Sequence, residues 1–373
     1  MKNWSTYIFL LVAGTLSLLA TSCSQEDEGL ESVLVSNGKA TVQFSIALGD
    51  SGASSRATWG ESYSPDGSDN GEPLFENKIN LDQFHVSLTL SGNTQVPIKQ
   101  ITQSGRTNNV YDFVGEVEVI DAPSLTGAKI EVRANIAKDN TTFTTDYVTN
   151  PAMGVASIPM WGVHTITSDL VLAGGNTIDL RATPIYLLRS MAKVEVIINP
   201  ALTDFTIESV GLNKYNEKGY LIPSNTGEEV NTKDYNREEC INEFSSLKSY
   251  SDYTGLPFTY NQKSNSYILY VPEYDNPKQK DEDDAVIFLS IKKGGKYIST
   301  QLGSNGAIKM TDLNLVRNHW YQYYINSINI ETDIQFDFKY QVINWTEINN
   351  GELIFGGESG AIHNPEDEEQ EEE

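Results

Sequence analysis

A strictly alternating run at residues 39–48 constrains the fold of this chain more than any other segment. Polar or small residues alternate there with apolar residues at Ala40, Val42, Phe44, Ile46 and Leu48. This is the period of a β-strand with one buried face. Similar runs, separated by clusters of turn residues, predict further strands at 83–90, 110–120, 129–136, 193–199, 266–271, 285–291 and 334–345. The pattern predicts an all-β protein of antiparallel sheets.

Helical patterns are scarce, and the length of the chain suggests more than one domain. The best helical segment is 237–250, where Cys240, Phe244 and Leu247 share one helix face, and it predicts one short helix. A chain of 373 residues is long enough for two domains that each bury their own core. Turn residues at 173–176 and the segment 189–193 place the junction near residue 185. A short apolar piece at 352–355 follows the last strong strand.

The N-terminus has the order of a secretory signal peptide. Lys2 precedes an apolar stretch at 7–20, and small residues then lead to Cys23. The stretch is too short for a membrane span, which needs roughly 20 apolar residues. Cys23 resembles the acylated cysteine of a bacterial lipoprotein, and the acidic residues behind it resemble a signal for the outer face of the outer membrane. We therefore predict residues 1–22 as the signal peptide and Cys23 as the lipidation site; the alternative is a cysteine lost with the leader.

The charge balance excludes one large class of partners. The chain has 26 basic and 51 acidic residues, so it would repel nucleic acid. Part of this charge lies in the acidic tail at 357–373, which has too little apolar content to fold. The only other cysteine, Cys240, has no partner once Cys23 is modified, so no intramolecular disulfide is expected.

No motif in the chain supports catalysis or cofactor binding. The sequence Gly-Asp-Ser-Gly at 49–52 copies the surroundings of a serine protease nucleophile, but no histidine precedes Ser51 as those proteases require. Walker loops, nucleotide fingerprints and Gly-x-Ser-x-Gly elbows are absent. The histidines are scattered without metal-ligand spacing: His85, His164, His319 and His363. We predict a protein that is not an enzyme, with no cofactor, no catalytic residue and no metal site.

Six segments in one order resemble the Bacteroides and Porphyromonas fimbrillin family, whose members are lipoprotein-derived pilins. None of the segments is specific alone, but their order over most of the mature chain is. They are Ile-Pro-Met-Trp-Gly at 158–162, Arg-Ser-Met-Ala-Lys-Val at 189–194, Gly-Tyr-Leu-Ile-Pro at 219–223, Tyr-Val-Pro-Glu-Tyr at 270–274, Arg-Asn-His-Trp-Tyr at 317–321 and Val-Ile-Asn-Trp at 342–345.

The resemblance implies a fold and a mode of assembly. It implies two transthyretin-like antiparallel β-sandwich domains, at 57–185 and 186–356, in an exported lipoprotein that is cut after an arginine behind its first strand. Arg56 and Ala57 match that position. The cut would release segment 23–56 with its lipid and first strand, leaving an apolar groove for a neighbouring subunit's C-terminal strand. The matching donor here is about 352–355 with residues before it, and the expected site is a surface fimbria on the outer membrane.

Other functions stay open at this point. A surface glycan-binding lipoprotein would keep its first strand and present exposed Trp and Tyr side chains on one face. A fimbrial tip subunit is consistent with the acidic tail behind the donor segment, and an anchor subunit would keep its lipid and stay uncut at Arg56. A surface hydrolase would need a cleft with paired carboxylates. The expected partners are other fimbrial subunits and, through the lipid on Cys23, the outer membrane; the sequence identifies no surface ligand.

Overall fold

The structure of the chain is a computed structural model. It describes residues 37–47, 79–107, 110–144, 158–224, 232, 247–248, 255–261, 265–275, 285–301, 314–329, 335–344 and 354–355. These residues form strands and turns with one short 3-10 helix, Leu81–Gln83, and they include no α-helix. The all-β prediction is therefore confirmed. No helix among these residues is long and apolar enough to cross a membrane.

The described residues of the first half of the chain form ten strands. In chain order they are β1 (Gly38–Ala47), β2 (Phe84–Thr89), β3 (Gln95–Thr107), β4 (Val110–Val119), β5 (Lys129–Ala134), β6 (Thr142–Thr144), β7 (Met160–Thr165), β8 (Thr177–Asp179), β9 (Ile185–Tyr186) and β10 (Leu188–Arg189).

In the second half, thirteen strands follow within the ranges that the structure describes. They are β11 (Ala192–Ile198), β12 (Thr206–Asn213), β13 (Tyr215–Asn216), β14 (Lys218–Tyr220), β15 (Leu247–Lys248), β16 (Leu256–Pro257), β17 (Thr259–Asn261), β18 (Ser266–Val271), β19 (Val286–Lys293), β20 (Lys296–Gln301), β21 (His319–Asn329), β22 (Gln335–Asn344) and β23 (Ile354–Phe355).

One nine-stranded sheet dominates the first half. Its order is β10-β7-β5-β2-β3-β4-β1-β8, and β9 also pairs with β1. The register of β3 on β4 shifts twice, between Lys99 and Thr102 and between Gln103 and Gly105, and such bulges bend and twist a sheet. Alternate residues of β1, β2, β4, β5 and other strands of this sheet pack in one buried cluster, drawn from Ala40 to Leu187. The sheet thus folds around its own core.

Two sheets pack face to face in the second half. A six-stranded sheet has the order β17-β18-β11-β21-β22-β23, and a four-stranded sheet has the order β16-β12-β19-β20. Val194 and Tyr321 of the larger sheet share one buried cluster with Leu212 and Leu289 of the smaller sheet. Shared burial of two inner faces is the arrangement of a β-sandwich.

The two halves are joined by a small sheet and a third buried cluster. β6 of the first half pairs antiparallel with β14 of the second, and Gly219 in β14 lies so close to Phe143 that an added Cβ would stand 2.2 Å from the ring. Apolar side chains from both halves, among them Trp161 and Tyr270, form the third cluster. The Thr232 hydroxyl also accepts from the Val163 backbone N–H at 2.6 Å and donates to its carbonyl at 2.8 Å. This junction is therefore packed and hydrogen-bonded.

A buried ion pair lies beside this junction. Arg317 donates to both carboxylate oxygens of Glu273, each at 2.7 Å, and to the carbonyl of Leu221 at 2.7 Å. Its side chain is 0% exposed, and that of Glu273 is 5% exposed. Arg189, equally buried, donates to the side-chain oxygen of Asn318 at 3.2 Å. Burial of this kind is stable only because the charges and their remaining hydrogen-bonding atoms are paired.

Most predicted strands are confirmed, and three strands of eight or more residues among the described residues lie outside the predicted set: β3, β12 and β21. β3 contains a proline and a bulge at Gly105, which interrupt its alternation. β21 is rich in aromatic and polar residues, and its inward face becomes visible only because it lies between β11 and β22. The helix predicted at 237–250 lies mainly outside the described residues. Its described part, Leu247–Lys248, is strand β15 paired with β13, so the prediction is wrong there.

The domain limits at residues 185 and 186 stay a prediction. The last strands of the first sheet, β9 and β10, end at Arg189, and the second half's first strand begins at Ala192. The transthyretin-like layout of each domain also stays a prediction.

Candidate functional site

The first strand fills the middle of the first half. Its alternating sequence places Ala40, Val42, Phe44 and Ile46 inward, and each of them is at most 1% exposed. β-Branched and aromatic side chains at these positions favour an extended backbone and fill the cluster between the sheet's faces. β1 is therefore a core strand, although residues 48–78 separate it in sequence from the rest of its sheet.

The two sides of β1 are paired differently. On one side all ten residues pair antiparallel with β4, from Gly38 with Val119 to Ala47 with Val110. On the other side β1 runs parallel to two short strands, pairing three residues with β8 and two with β9. Backbone bonds extend this second side, since Gly175 N–H donates to Lys39 at 2.7 Å and Leu180 N–H donates to Gln43 at 2.7 Å. We call the space that β1 fills between β4 and the pair β8–β9 the β1 slot.

An aromatic stack marks one register position in the β1 slot. Phe44 pairs directly with Phe113 of β4, and their ring centroids are 5.6 Å apart. Phe113 stacks in turn on Phe84 of β2, with centroids 4.8 Å apart. Aromatic pairs of this kind add to the free energy of burial. An aromatic side chain at the position of Phe44 therefore fixes which residues of the strand lie opposite β4.

The outward face of β4 is acidic, and β1 supplies partners for it. Asp112, Glu116 and Glu118 alternate along this face. The Ser45 hydroxyl donates to Asp112 at 2.5 Å, and the Lys39 ammonium bonds Glu116 at 2.8 Å. The hydrogen bond with Glu116 also raises the pKa of Lys39. Two outward donors of β1 therefore face two carboxylates of β4.

Neighbouring strands supply other cations to this face. Lys99 of β3 bonds Glu118 at 3.0 Å and lowers the pKa of that carboxyl. Beyond β8, Arg181 pairs with Asp179 at 2.6 Å, and this bond holds the pKa of Asp179 at about 2. Asp179 pairs with Gln43 of β1 in the ladder. Acidic side chains therefore border the β1 slot on both sides.

The geometry suits the β1 slot to strand binding. Without an occupant, β4 and β8–β9 would present unpaired backbone groups along a trough lined by the apolar core. Any extended segment with apolar side chains at alternate positions could satisfy both the backbone and the trough. This is a capacity for binding a peptide strand, and it needs no catalytic group.

The sequence-predicted site residues Cys23, Arg56 and Ala57 lie outside the described residues. Of the predicted donor segment, Ile354–Phe355 is described, and it pairs with Lys339 and Tyr340 at the free side of β22. Sequence reasoning missed Ser45 and Asp112. The alternating acids of β4 were visible within a predicted strand, but their relation to β1 depends on long-range pairing.

Two features of the described residues bear on the alternative functions: groups that could hold a metal ion, and exposed aromatic side chains that could bind a glycan. They contain no group of three or more His, Cys, Asp or Glu side chains placed to hold a metal ion. Among the residues whose side-chain burial is described, the exposed large hydrophobic side chains are Leu81, Ile120 and Tyr260, of which Tyr260 alone is aromatic. Tyr260 lies beside Tyr267, with centroids 5.0 Å apart, but Tyr267 is only partly exposed.

Comparison with known proteins gives structural similarities at low sequence identity. No protein-family model matches the chain, and no curated protein matches it. It is similar to the tip fimbrial protein Mfa3 from Porphyromonas gingivalis, truncated at its C-terminus, with 13% identity and a TM-score of 0.49 over 82% of this chain and 100% of that one. A fimbrilin (FimA) of the same organism matches with 14% identity and a TM-score of 0.44, over 83% and 99% of the two chains.

A third similar structure is a fimbrial assembly protein from Parabacteroides distasonis, with 12% identity and a TM-score of 0.42 over 85% of this chain and 98% of that one. Fimbrial proteins of this bacterial group are thus among the solved structures to which the chain is similar, as the sequence motifs predict.

Proposed function

We propose that this protein is a structural, non-enzymatic subunit of a cell-surface fimbria that assembles by donor-strand exchange. The observation that carries the proposal is the position of β1. This strand is buried on its inner face and paired on both sides, yet it lies between Cys23 and Arg56 in sequence. One cut after Arg56 would therefore leave a core strand held only by noncovalent contacts.

Export and anchoring complete the first step of the proposed pathway. The signal peptide at 1–22 directs export, and acylation of Cys23 anchors the precursor in the outer membrane. Cleavage between Arg56 and Ala57 then separates segment 23–56, with its lipid and β1, from the two β-sandwich domains at 57–185 and 186–356.

The energetics favour refilling of the β1 slot after release. Burial of Val42, Phe44 and Ile46 contributes about 1.5–3 kcal/mol for each side chain. When β1 leaves, β4 keeps its pairing with β3 but loses its pairing with β1 along its full length. A strand from a neighbouring subunit restores burial and pairing together. Because the donor and acceptor surfaces differ, such contacts join subunits head to tail and build an open filament.

The C-terminal segment at 352–355 is the proposed donor strand. Its described part, Ile354–Phe355, pairs with Lys339 and Tyr340 of β22, so detaching that part would break the pairing of those two residues. β22 itself pairs with β21 along its full length, and its removal would dismantle the second sandwich. The acidic tail at 357–373 would extend beyond the donor strand.

Blocking the cleavage site tests the proposal. In wild-type cells we expect the surface form to begin at Ala57 and filaments to be visible by electron microscopy. Arg56→Ala should leave an acylated form that begins at Cys23, with filaments lost, because β1 keeps the slot filled. N-terminal sequencing, mass measurement and microscopy of the same cells report all three changes.

Arg181→Ala is the matched control, because Arg181 is an exposed arginine of the first half outside the proposed cleavage site. It should leave both the start at Ala57 and the filaments unchanged. A wild-type surface protein that begins at the acylated Cys23, in cells without filaments, would contradict the proposal and favour an anchor subunit or a glycan-binding lipoprotein.

A further inference from the structure

The acidic outward face of β4 restricts which strand can occupy the β1 slot. We propose that the emptied slot selects a strand with hydroxyl or cationic side chains at the positions that face away from the apolar core, and that this strand belongs to a different subunit and not to a second copy of this chain. The inference rests on the proposed release of β1 and identifies the chemistry of the partner.

The native strand defines the complement position by position. The aromatic side chain of Phe44 opposite Phe113 sets the register. In this register Ser45 lies opposite Asp112 and Thr41 opposite Glu116, while Lys39 reaches Glu116 diagonally at 2.8 Å. Oppositely charged or hydrogen-bonding side chains across a ladder stabilise it, and like charges directly opposite destabilise it.

The position opposite Asp112 restricts the side chain of the occupying strand more than any other position considered. Its partner Ser45 is 2% exposed, so the hydrogen bond between them is shielded from water at one end. Space on the other side of Asp112 is limited as well, since a Cβ added at Gly105 of β3 would lie 3.1 Å from its carboxylate. Asp112 is partly exposed, and a partly buried carboxylate that loses its donor loses a charge-assisted hydrogen bond. The occupant therefore needs a small donor at this position.

The chain's own C-terminal segment lacks these features. With Phe355 at the position of Phe44, Leu353 takes the place of Val42, which is a good apolar match. The same register puts Glu352 opposite Glu116 and Gly356 opposite Asp112. It also puts Glu358 at the position of Ala47, which is 1% exposed.

Other placements of this segment do not remove the mismatch. If the strand ran in the opposite direction with Leu353 and Phe355 still inward, Glu352, Ile354 and Gly356 would remain outward. A shift by one residue would expose Leu353 and Phe355 and bury Ile354 alone. Because Phe355 is the only aromatic residue of the segment 350–358, no placement with an aromatic side chain opposite Phe113 puts a donor opposite Asp112.

The net charge of the chain also disfavours a second copy of this chain as the partner. The cut chain, residues 57–373, has 23 basic and 46 acidic residues and a formal charge of −23, so the surfaces of two copies repel each other where they approach within the Debye length of about 8 Å at physiological ionic strength. A partner subunit with a basic or neutral donor strand avoids this repulsion at the slot.

Peptide exchange into the cut chain tests the inference. A specific protease site replaces residues 51–58. After the full chain has folded, the protease cuts the backbone there, so that β1 is held only by noncovalent contacts. Fluorescent peptides are then added, and their binding is followed by anisotropy. The first peptide is β1 itself, 38–47. The second carries Thr41→Glu and Ser45→Gly, which copy Glu352 and Gly356, and the third is the C-terminal segment 350–358.

We expect the native β1 peptide to enter the slot of the cut chain but not of the uncut chain. The doubly substituted peptide should bind about tenfold more weakly, and the C-terminal peptide should not compete measurably. A C-terminal peptide with Glu352→Lys and Gly356→Ser should gain binding. High salt should narrow the difference between the native and substituted peptides, because part of it is electrostatic.

The outcomes separate the two proposals. If the native β1 peptide enters and the C-terminal peptide binds equally well, the selection of a different subunit is overturned while strand exchange stands. If even the native β1 peptide does not enter the cut chain, β1 is not exchangeable, and the proposed function fails together with this inference.

Discussion

Replacing Arg317 by methionine should lower the free energy of unfolding by about 3–5 kcal/mol. The substitution removes both hydrogen bonds to Glu273, each 2.7 Å long, and the bond to the Leu221 carbonyl. Glu273 would then remain 5% exposed without its cation, and an unpaired buried carboxylate is strongly unfavourable. Urea unfolding followed by tryptophan fluorescence measures the loss, because Trp161 belongs to the buried cluster at the junction.

An exposed ion pair provides the control for Arg317. Arg181 bonds Asp179 at 2.6 Å, but the two side chains are 44% and 49% exposed, so Arg181→Met should cost only about 0–1 kcal/mol. The double substitution Arg317→Met with Glu273→Leu should recover part of the stability, because it removes both buried charges. Equal losses for Arg317→Met and Arg181→Met would contradict the assigned role of the buried pair.

Truncating Phe44 to alanine should destabilise the first half by about 3–5 kcal/mol. Phe44 is 0% exposed and stacks on Phe113, so its removal leaves a cavity in the middle of the β1 slot. The loss of stability should affect the strands around the β1 slot before it affects the second half. Hydrogen exchange should therefore accelerate in β1, β4 and β8 before it accelerates in the second half.

Gln43→Ala is the matched control for Phe44→Ala. Gln43 is the preceding residue of β1 and points outward with partial exposure, so its truncation should change stability by about 0.5 kcal/mol or less. Phe44→Leu should fall between the two, because it keeps apolar volume but loses the stack. If Phe44→Ala accelerated exchange equally in both halves, β1 would not act as a locally held strand.

Much of the strand content could be predicted from the sequence, since alternation is a local property. β1, β4 and β18 lie within one or two residues of their predicted bounds. β3 and β21 were missed because bulges and polar aromatic residues hide the period of two. The short strands β13 and β15 carry no local signal, and they exist because distant residues pair.

The sequence does not reveal the structural role of the motif segments on which the family resemblance rests. Arg189, Glu273 and Arg317 belong to three separate segments of the sequence, and the structure brings all three to the junction between the halves. Ser190 joins two more segments, since its N–H donates to the Pro159 carbonyl at 2.8 Å and its hydroxyl donates to the Leu221 carbonyl at 3.0 Å. These motifs therefore build the junction, a role that their order in the sequence does not reveal.

By itself, the sequence determined the all-β class, the strong strands and the acidic character of this protein, because backbone alternation and charge are properties of neighbouring residues. It also predicted the order of Cys23, the first strand and Arg56. Only the tertiary structure decided that β1 lies between β4 and β8–β9, and that Ser45 faces Asp112. Ladder pairing joins residues far apart in the chain, and its register depends on the packing of the whole core.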